Sequence, residues 1–136
     1  MQTELPKPVK KKLRAAVYLR VSTDEQAKEG HYGLQVQEER GRSFCESQEY
    51  TLAKEHLYQD DISGGLPVER RPKLSELFAA AHRREFDVVV VYKTDRLARN
   101  LRVLVNAIHD LEKLGIAFRS VTEPFDTTTS FGKANL

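Results

Sequence analysis

Apolar positions along this chain change period several times, and each change marks an element. Ala15, Ala16, Val17, Tyr18, Leu19 and Val21 form a short apolar run that predicts a first strand over Leu13–Val21. Ser22-Thr23-Asp24 then supplies cap or turn residues. Leu34, Gln37, Gly41, Phe44, Cys45 and Gln48 recur at intervals of three and four, which predicts a helix over about Leu34–Ser47. Thr51–Tyr58 reads as a second, half-buried strand. Asp60–Arg71 holds two glycines, a proline and several charges, so it reads as a mobile loop. Helical spacing returns at Leu74, Leu77, Phe78 and Ala81, behind a Pro72 suited to a first helical turn. The four valines within Asp87–Tyr92 read as a strand buried on both faces, as in the centre of a parallel sheet. Leu97, Leu101, Leu104, Val105, Ile108, Leu111 and Leu114 mark one apolar stripe, read as core, on a single helix of about 18 residues. Gly115 closes it, and Ile116–Val121 gives a further strand.

Strand and helix therefore alternate, the pattern of an α/β domain with a mostly parallel central sheet flanked by helices. Residues 1–13, with two prolines and a lysine run, read as a flexible basic N-terminal arm. The folded domain is expected over 14–130, and residues 131–136 read as the start of a following helix that is cut short.

Composition refines this picture. At 136 residues and 40% hydrophobic, the chain fits one domain with a real core, which excludes wholesale disorder. The formal charge of +2 is misleading. Lys7, Lys10, Lys11, Lys12 and Arg14 sit in the first 14 residues against Glu4 alone, leaving 17 basic and 19 acidic groups in residues 15–136. The folded part is slightly acidic, so any nucleic-acid chemistry must come from where particular arginines sit. A single cysteine, Cys45, excludes an internal disulfide and a Cys-based zinc site, and reads as a reduced, partly buried thiol. The longest strongly apolar stretch, Val88–Tyr92, is too short for a membrane span, and the N-terminus lacks a secretory pattern. A cytoplasmic protein without a membrane partner is expected.

In open α/β sheets, reactive groups gather at the carboxyl ends of the strands. The first strand ends in Arg20-Val21-Ser22, with Gln26 one turn on. The valine strand ends in Lys93-Thr94-Asp95-Arg96-Leu97-Ala98-Arg99. If those strands are neighbours, Ser22 faces Arg96 and Arg99, which are three apart at a helix start and so point the same way. Arg20, two before Ser22, projects to the same side of the sheet. A serine ringed by guanidinium groups suits attack on a phosphodiester, because arginine forks onto phosphate oxygens and keeps its charge. The plainer alternative is that Ser22 caps a helix and the arginines pair with surface carboxylates.

The wording of these segments adds a resemblance. Tyr18-Leu19-Arg20-Val21-Ser22-Thr23-Asp24-Glu25-Gln26 resembles the Y-x-R-V-S-T-x-x-Q signature of serine recombinases. Gly33-Leu34-Gln35-Val36-Gln37 resembles the L-x-x-Q element that follows it. Ile62-Ser63-Gly64 and Arg71-Pro72-Lys73-Leu74 resemble the family's D-x-S-G loop and R-P-x-L helix start, and Asp95-Arg96-Leu97-Ala98-Arg99-Asn100 its D-R-L-x-R segment. Order and spacing agree over about Ala15–Leu136. The R-P pair looks more like the large serine integrases than the small resolvases, whereas His31-Tyr32 stand where the family commonly has small residues.

The resemblance implies a resolvase-like three-layer catalytic domain acting on double-stranded DNA attachment sites, in a bacterial or phage setting. Ser22 would be the nucleophile that forms a 5′-phosphoserine link, so rejoining would need no external energy source. Arg20, Arg71, Arg96 and Arg99 would hold the scissile phosphate, Asp95 would orient an arginine, and Gln26 would help position the nucleophile or phosphate. No cofactor or metal is implied. A dimer would sit on each site and a tetramer in the synapse. A non-catalytic DNA-binding or regulatory domain of the same fold is the competing expectation. His31, His56, His82 and His109 are scattered, without a metal-ligand spacing. Asp60-Asp61 reads as a solvated turn, with metal carboxylates as the rarer alternative. The lysine arm could touch DNA phosphates or merely solvate the chain.

Overall fold

The computed structural model describes residues 12–21, 33–61 and 66–124. The expectations on the basic arm, on Ser22, Gln26 and His31, on Ile62-Ser63-Gly64 and on residues 131–136 lie outside them. The described elements run β1 (Arg14–Val21), α1 (Leu34–Ser47), β2 (Thr51–Asp61), a 3₁₀ turn (Val68–Arg70), α2 (Pro72–His82), β3 (Val88–Val91), α3 (Thr94–Leu97), α4 (Leu101–Lys113) and β4 (Ala117–Ser120). The four strands form one sheet in the order β2-β1-β3-β4, and every pairing is parallel. That places the all-valine β3 and the largely buried β1 at the centre, where both faces need covering.

Residues of alternate parity in β1 serve opposite faces. Ala16 and Tyr18 join Leu74, Leu77, Leu111 and Phe118 in the core under α2 and α4. Ala15, Val17 and Leu19 join Cys45, Val88 and Val90 under α1. The α1 backbone comes close to β1 at Gly41, where a Cβ would stand 3.1 Å from Val17 Cγ1. Cys45 is buried there, and burial pushes its thiol up to about 11, so it is a packing residue rather than a reactive one. Helix α4 ends as the glycine signal implied. Gly115 takes φ 77°, its N–H reaches Glu112 O, and Ile116 N–H reaches Leu111 O at 2.9 Å.

Two expectations fail, both for local reasons. The loop expected from Asp60 begins later, because β2 runs on to Asp61 beside Arg20 and Val21. The extension follows an irregularity in the pairing: Ala15 to Val17 on β1 faces Leu52 to Leu57 on β2. Such a bulge bends an edge strand and discourages it from pairing with another chain. The expected 18-residue helix is also two pieces. Ala98 is extended (φ −160°, ψ 142°), and the Asn100 side chain accepts from Arg102 N–H and Val103 N–H to open a new helix. The apolar stripe is consequently interrupted rather than core throughout: Leu97, Ile108 and Leu111 belong to the core, and the start of α4 between them turns outward. Leu101 is 72% exposed and Val105 54%, whereas Leu111 is buried.

Candidate active site

Beyond Val91 the ladder between β1 and β3 stops, and the end of β1 runs on past its neighbour. The short helix α3 folds back over that end and carries Asp95 and Arg96. Arg20 extends from β1 with its Nε donating to Arg96 O at 3.0 Å and its Nη2 to Asp95 O at 2.7 Å. Arg71 stands at the N-cap of α2; its Nη2 donates to the same Arg96 O at 3.1 Å and to the Tyr18 hydroxyl at 3.2 Å. Arg96 returns its Nη1 to Arg20 O at 2.9 Å and its Nε to Asp95 Oδ1 at 2.9 Å. Three arginines, 0%, 0% and 1% exposed, are thus interlocked through main-chain carbonyls.

The electrostatics are lopsided. Burying a charge is costly unless it is paired, and carbonyl oxygens supply only partial negative charge. Among the described residues, the carboxylate that touches this group is Asp95, itself 45% exposed on its side chain. Among the described residues, Arg71 Nε and Nη1 are buried and have no hydrogen-bond partner. Two unpartnered nitrogens, carrying three N–H donors on a permanent cation, call for an anion with several acceptor oxygens. Phosphate answers that description.

Asp60, expected as a solvated turn or a metal carboxylate, is neither. It is buried at the end of β2, where Oδ2 accepts from the Tyr18 hydroxyl at 2.7 Å and from Leu74 N–H at 3.0 Å, and Oδ1 from Lys73 N–H at 2.9 Å. The carboxylate caps the first turn of α2 in place of its own N-cap side chain, which makes no capping bond. It also fixes Tyr18 as donor towards Asp60 and acceptor from Arg71. Burial pushes the Tyr18 phenol well above its ordinary value, so it stays protonated, and the nearby Arg71 only partly opposes this. The Arg71 guanidinium also lies over the Tyr18 ring, 5.4 Å from its centroid. Asp61, by contrast, is exposed.

Arg99 does not join the three. It lies on the exposed bend between α3 and α4, so Arg96 and Arg99 do not share a helix face. Asp95 Oδ1 accepts from Arg96 Nε at 2.9 Å. Among the described residues no group of three or more His, Cys, Asp or Glu could hold a metal ion. His56 is instead packed against Tyr58 and Phe86, while His82 and His109 are exposed.

Two residues that hold the site escaped the sequence reading. Gln37 was legible only as a helix position and as part of the L-x-x-Q resemblance. Its side chain accepts from Arg20 N–H at 3.1 Å and donates to Arg20 O at 2.9 Å. Glu123, just past β4, accepts from Thr94 N–H at 2.7 Å, Ser120 Oγ at 2.8 Å and Thr94 Oγ1 at 3.0 Å, and so ties down the start of α3. A carboxylate capping a helix 29 residues away has no local pattern to betray it. Burial alone would raise the Glu123 pKa; the bonds from Thr94 and Ser120 outweigh it and hold the carboxyl below its ordinary value. A depressed pKa gives stability that is complete above the ordinary value and is lost as pH falls through the folded one. Replacing Glu123 by Gln is therefore expected to flatten the fall of the thermal midpoint from about pH 5 downward, read by circular dichroism.

The family described as "Resolvase, N terminal domain" matches residues 15–136. The DNA-invertase of Escherichia phage P1 is 36% identical over 116 residues, which cover 85% of this chain and 53% of the invertase. The transposon Tn552 resolvase of Staphylococcus aureus is 32% identical over 118 residues, covering 85% of this chain and 51% of the resolvase. The chain thus spans about half the length of these relatives. Among solved structures, the N-terminal catalytic domain of TP901-1 integrase matches with a TM-score of 0.77 at 33% identity, over 90% of this chain and 88% of that one.

Proposed function

Because the chain belongs to the resolvase family and has the fold of a serine recombinase catalytic domain, we propose that the whole protein cuts and rejoins double-stranded DNA at attachment sites. Ser22 Oγ attacks a phosphodiester phosphorus and gives up its proton. A Ser–O–P bond forms to the 5′ side, the P–O3′ bond breaks, and the 3′ oxygen leaves as a hydroxyl after taking a proton. Rejoining runs the same steps backwards, so the bond energy is conserved in the phosphoserine. Arg20, Arg71 and Arg96 neutralise the charge of the transferring phosphoryl group, and Arg99 reaches it from the exposed bend. Asp95 orients Arg96, and Gln26 positions the nucleophile or the phosphate. No metal enters the scheme.

The observation that carries this reading is the buried arginine triplet with two unpartnered Arg71 nitrogens. Since all three arginines are buried, a phosphate reaches them only with a local rearrangement around them. Entry to the site is then a step of the reaction. The exposed Leu101 and Val105 on α4 support assembly with further copies, as a dimer on each site and a tetramer when two sites are joined. Among the described residues no helix is long and apolar enough to cross a membrane. A cytoplasmic recombinase of bacterial or phage origin, of the large integrase group, is the reading that fits these features and the integrase likeness together.

The test is to trap the covalent complex with the full-length protein and a duplex carrying its attachment site. Wild type is expected to leave a protein–DNA band resistant to denaturant, and Ser22→Ala none. A band that persists in Ser22→Ala overturns the mechanism. A reaction abolished by chelator and indifferent to Ser22 would place the protein with metal-dependent nucleases.

A further inference from the structure

We propose that Gln37 is a positioning residue whose side-chain amide replaces, at Arg20, the strand that β1 lacks there, and so sets the direction in which the chain leaves for Ser22. The inference rests on the reading of Ser22 as nucleophile. Its basis is the parity of β1. In a parallel sheet the N–H and C=O of one residue point to the same neighbour, and the next residue's point to the other. Arg14 O accepts from Asp87 N–H ahead of β3, and Leu13 O accepts from Thr51 N–H of β2. The even-numbered peptide groups of β1 therefore face β3. The last β1 residue paired with β3 is Tyr18, opposite Val91. Two residues on, Arg20 presents both main-chain groups towards a strand that has ended.

Buried main-chain groups must find partners, and here one side chain meets both needs. Gln37 lies fully buried on α1, offers an acceptor to Arg20 N–H at 3.1 Å and a donor to Arg20 O at 2.9 Å. Glutamine is suited to this, since its terminal amide has the donor and acceptor geometry of a peptide group. The same Arg20 O also receives Arg96 Nη1 at 2.9 Å. Helix α1, helix α3 and the end of β1 are thereby joined at one carbonyl, two residues before Ser22. Gln37 reaches Arg20 from the face of the sheet opposite the core beneath α2 and α4, and need not touch the substrate to act.

The test compares Gln37→Leu and Gln37→Glu with wild type in the full-length protein, on a nicked duplex carrying the attachment site. In Gln37→Leu, DNA affinity is expected to stay within a few-fold. The rate of covalent-complex formation is expected to fall about 10²-fold, as for a misplacement of about 1 Å. The Arg20 amide should lose its protection from hydrogen exchange in the same variant. In Gln37→Glu the carboxylate cannot donate to Arg20 O, but the protonated acid can. Among the described residues, the charged group that meets the Arg20 carbonyl beside Gln37 is the Arg96 guanidinium, whose Nη1 lies 2.9 Å from that oxygen, and it favours the carboxylate. The rate of Gln37→Glu relative to wild type is therefore expected to be low at neutral pH and to recover on the acid side.

Gln37→Leu cleaving within a few-fold of wild type overturns the proposal, as does a Gln37→Glu ratio that does not change with pH. The Glu variant keeps the test decisive if the Leu variant fails to fold. Ser22→Ala is run alongside: loss of the link there together with an unaffected Gln37 series refutes this inference alone, whereas a surviving link refutes the functional reading beneath it.

Discussion

Arg71→Lys is expected to slow covalent-complex formation about 10²- to 10³-fold, the scale seen when one preorganised donor is removed from a charged transition state. Lysine keeps the positive charge, so the loss would report geometry rather than net electrostatics. The Arg71 guanidinium spends Nη2 on Tyr18 and on the Arg96 carbonyl, and leaves Nε and Nη1 unpartnered among the described residues. One planar group is anchored by one corner and free to fork onto two oxygens with the others. An ammonium cannot divide its donors in fixed directions in that way. Single-turnover cleavage at saturating DNA measures the effect. A lysine variant within a few-fold of wild type would mean that charge alone suffices.

Asp60→Ala is expected to be the most damaging change to the fold among the site residues, by about 3 kcal/mol. It strips two N–H groups at the start of α2 of their acceptor and removes the partner of the buried Tyr18 hydroxyl. Loss of a helix cap costs about 1 kcal/mol, and each buried polar group left unsatisfied costs a similar amount or more. The urea midpoint should drop with little change in slope. Cleavage should fall further than stability explains, since Arg71 would lose both its helix-cap position and its tyrosine partner. An equal loss of stability in Asp61→Ala would contradict this, because that neighbouring side chain is exposed.

The sequence disclosed much of this frame because the frame is made of local signals. Leu34–Ser47 has the same bounds from periodicity as in the structure, and the four valines announce the central strand. Pro72 and Gly115 punctuate the helices where their chemistry demands. What stayed hidden depends on partners far apart in the chain. Asp60 looked like a turn because Asp-Asp before Gly-Gly usually is one; nothing local says that a phenol 42 residues earlier and a helix start after it will bury its carboxylate. The division between α3 and α4 was within reach, since Asn100 is a strong N-cap residue. The unbroken leucine spacing across it concealed the break. Arg20, Arg71 and Arg96 could be named from motifs, but their shared acceptor could not, because carbonyl oxygens leave no trace in a sequence.

That shared acceptor has a genetic consequence. The Arg96 oxygen that receives both Arg20 and Arg71 belongs to the main chain, so no codon change at position 96 deletes it. Random mutagenesis can displace it only by shifting α3, through the residues that pin that short helix from outside. Glu123, braced by Ser120, does so through two hydrogen bonds from Thr94 at the start of α3. Loss-of-function alleles, and the second-site revertants that restore them, should therefore cluster on this three-residue strap as well as on the arginines themselves.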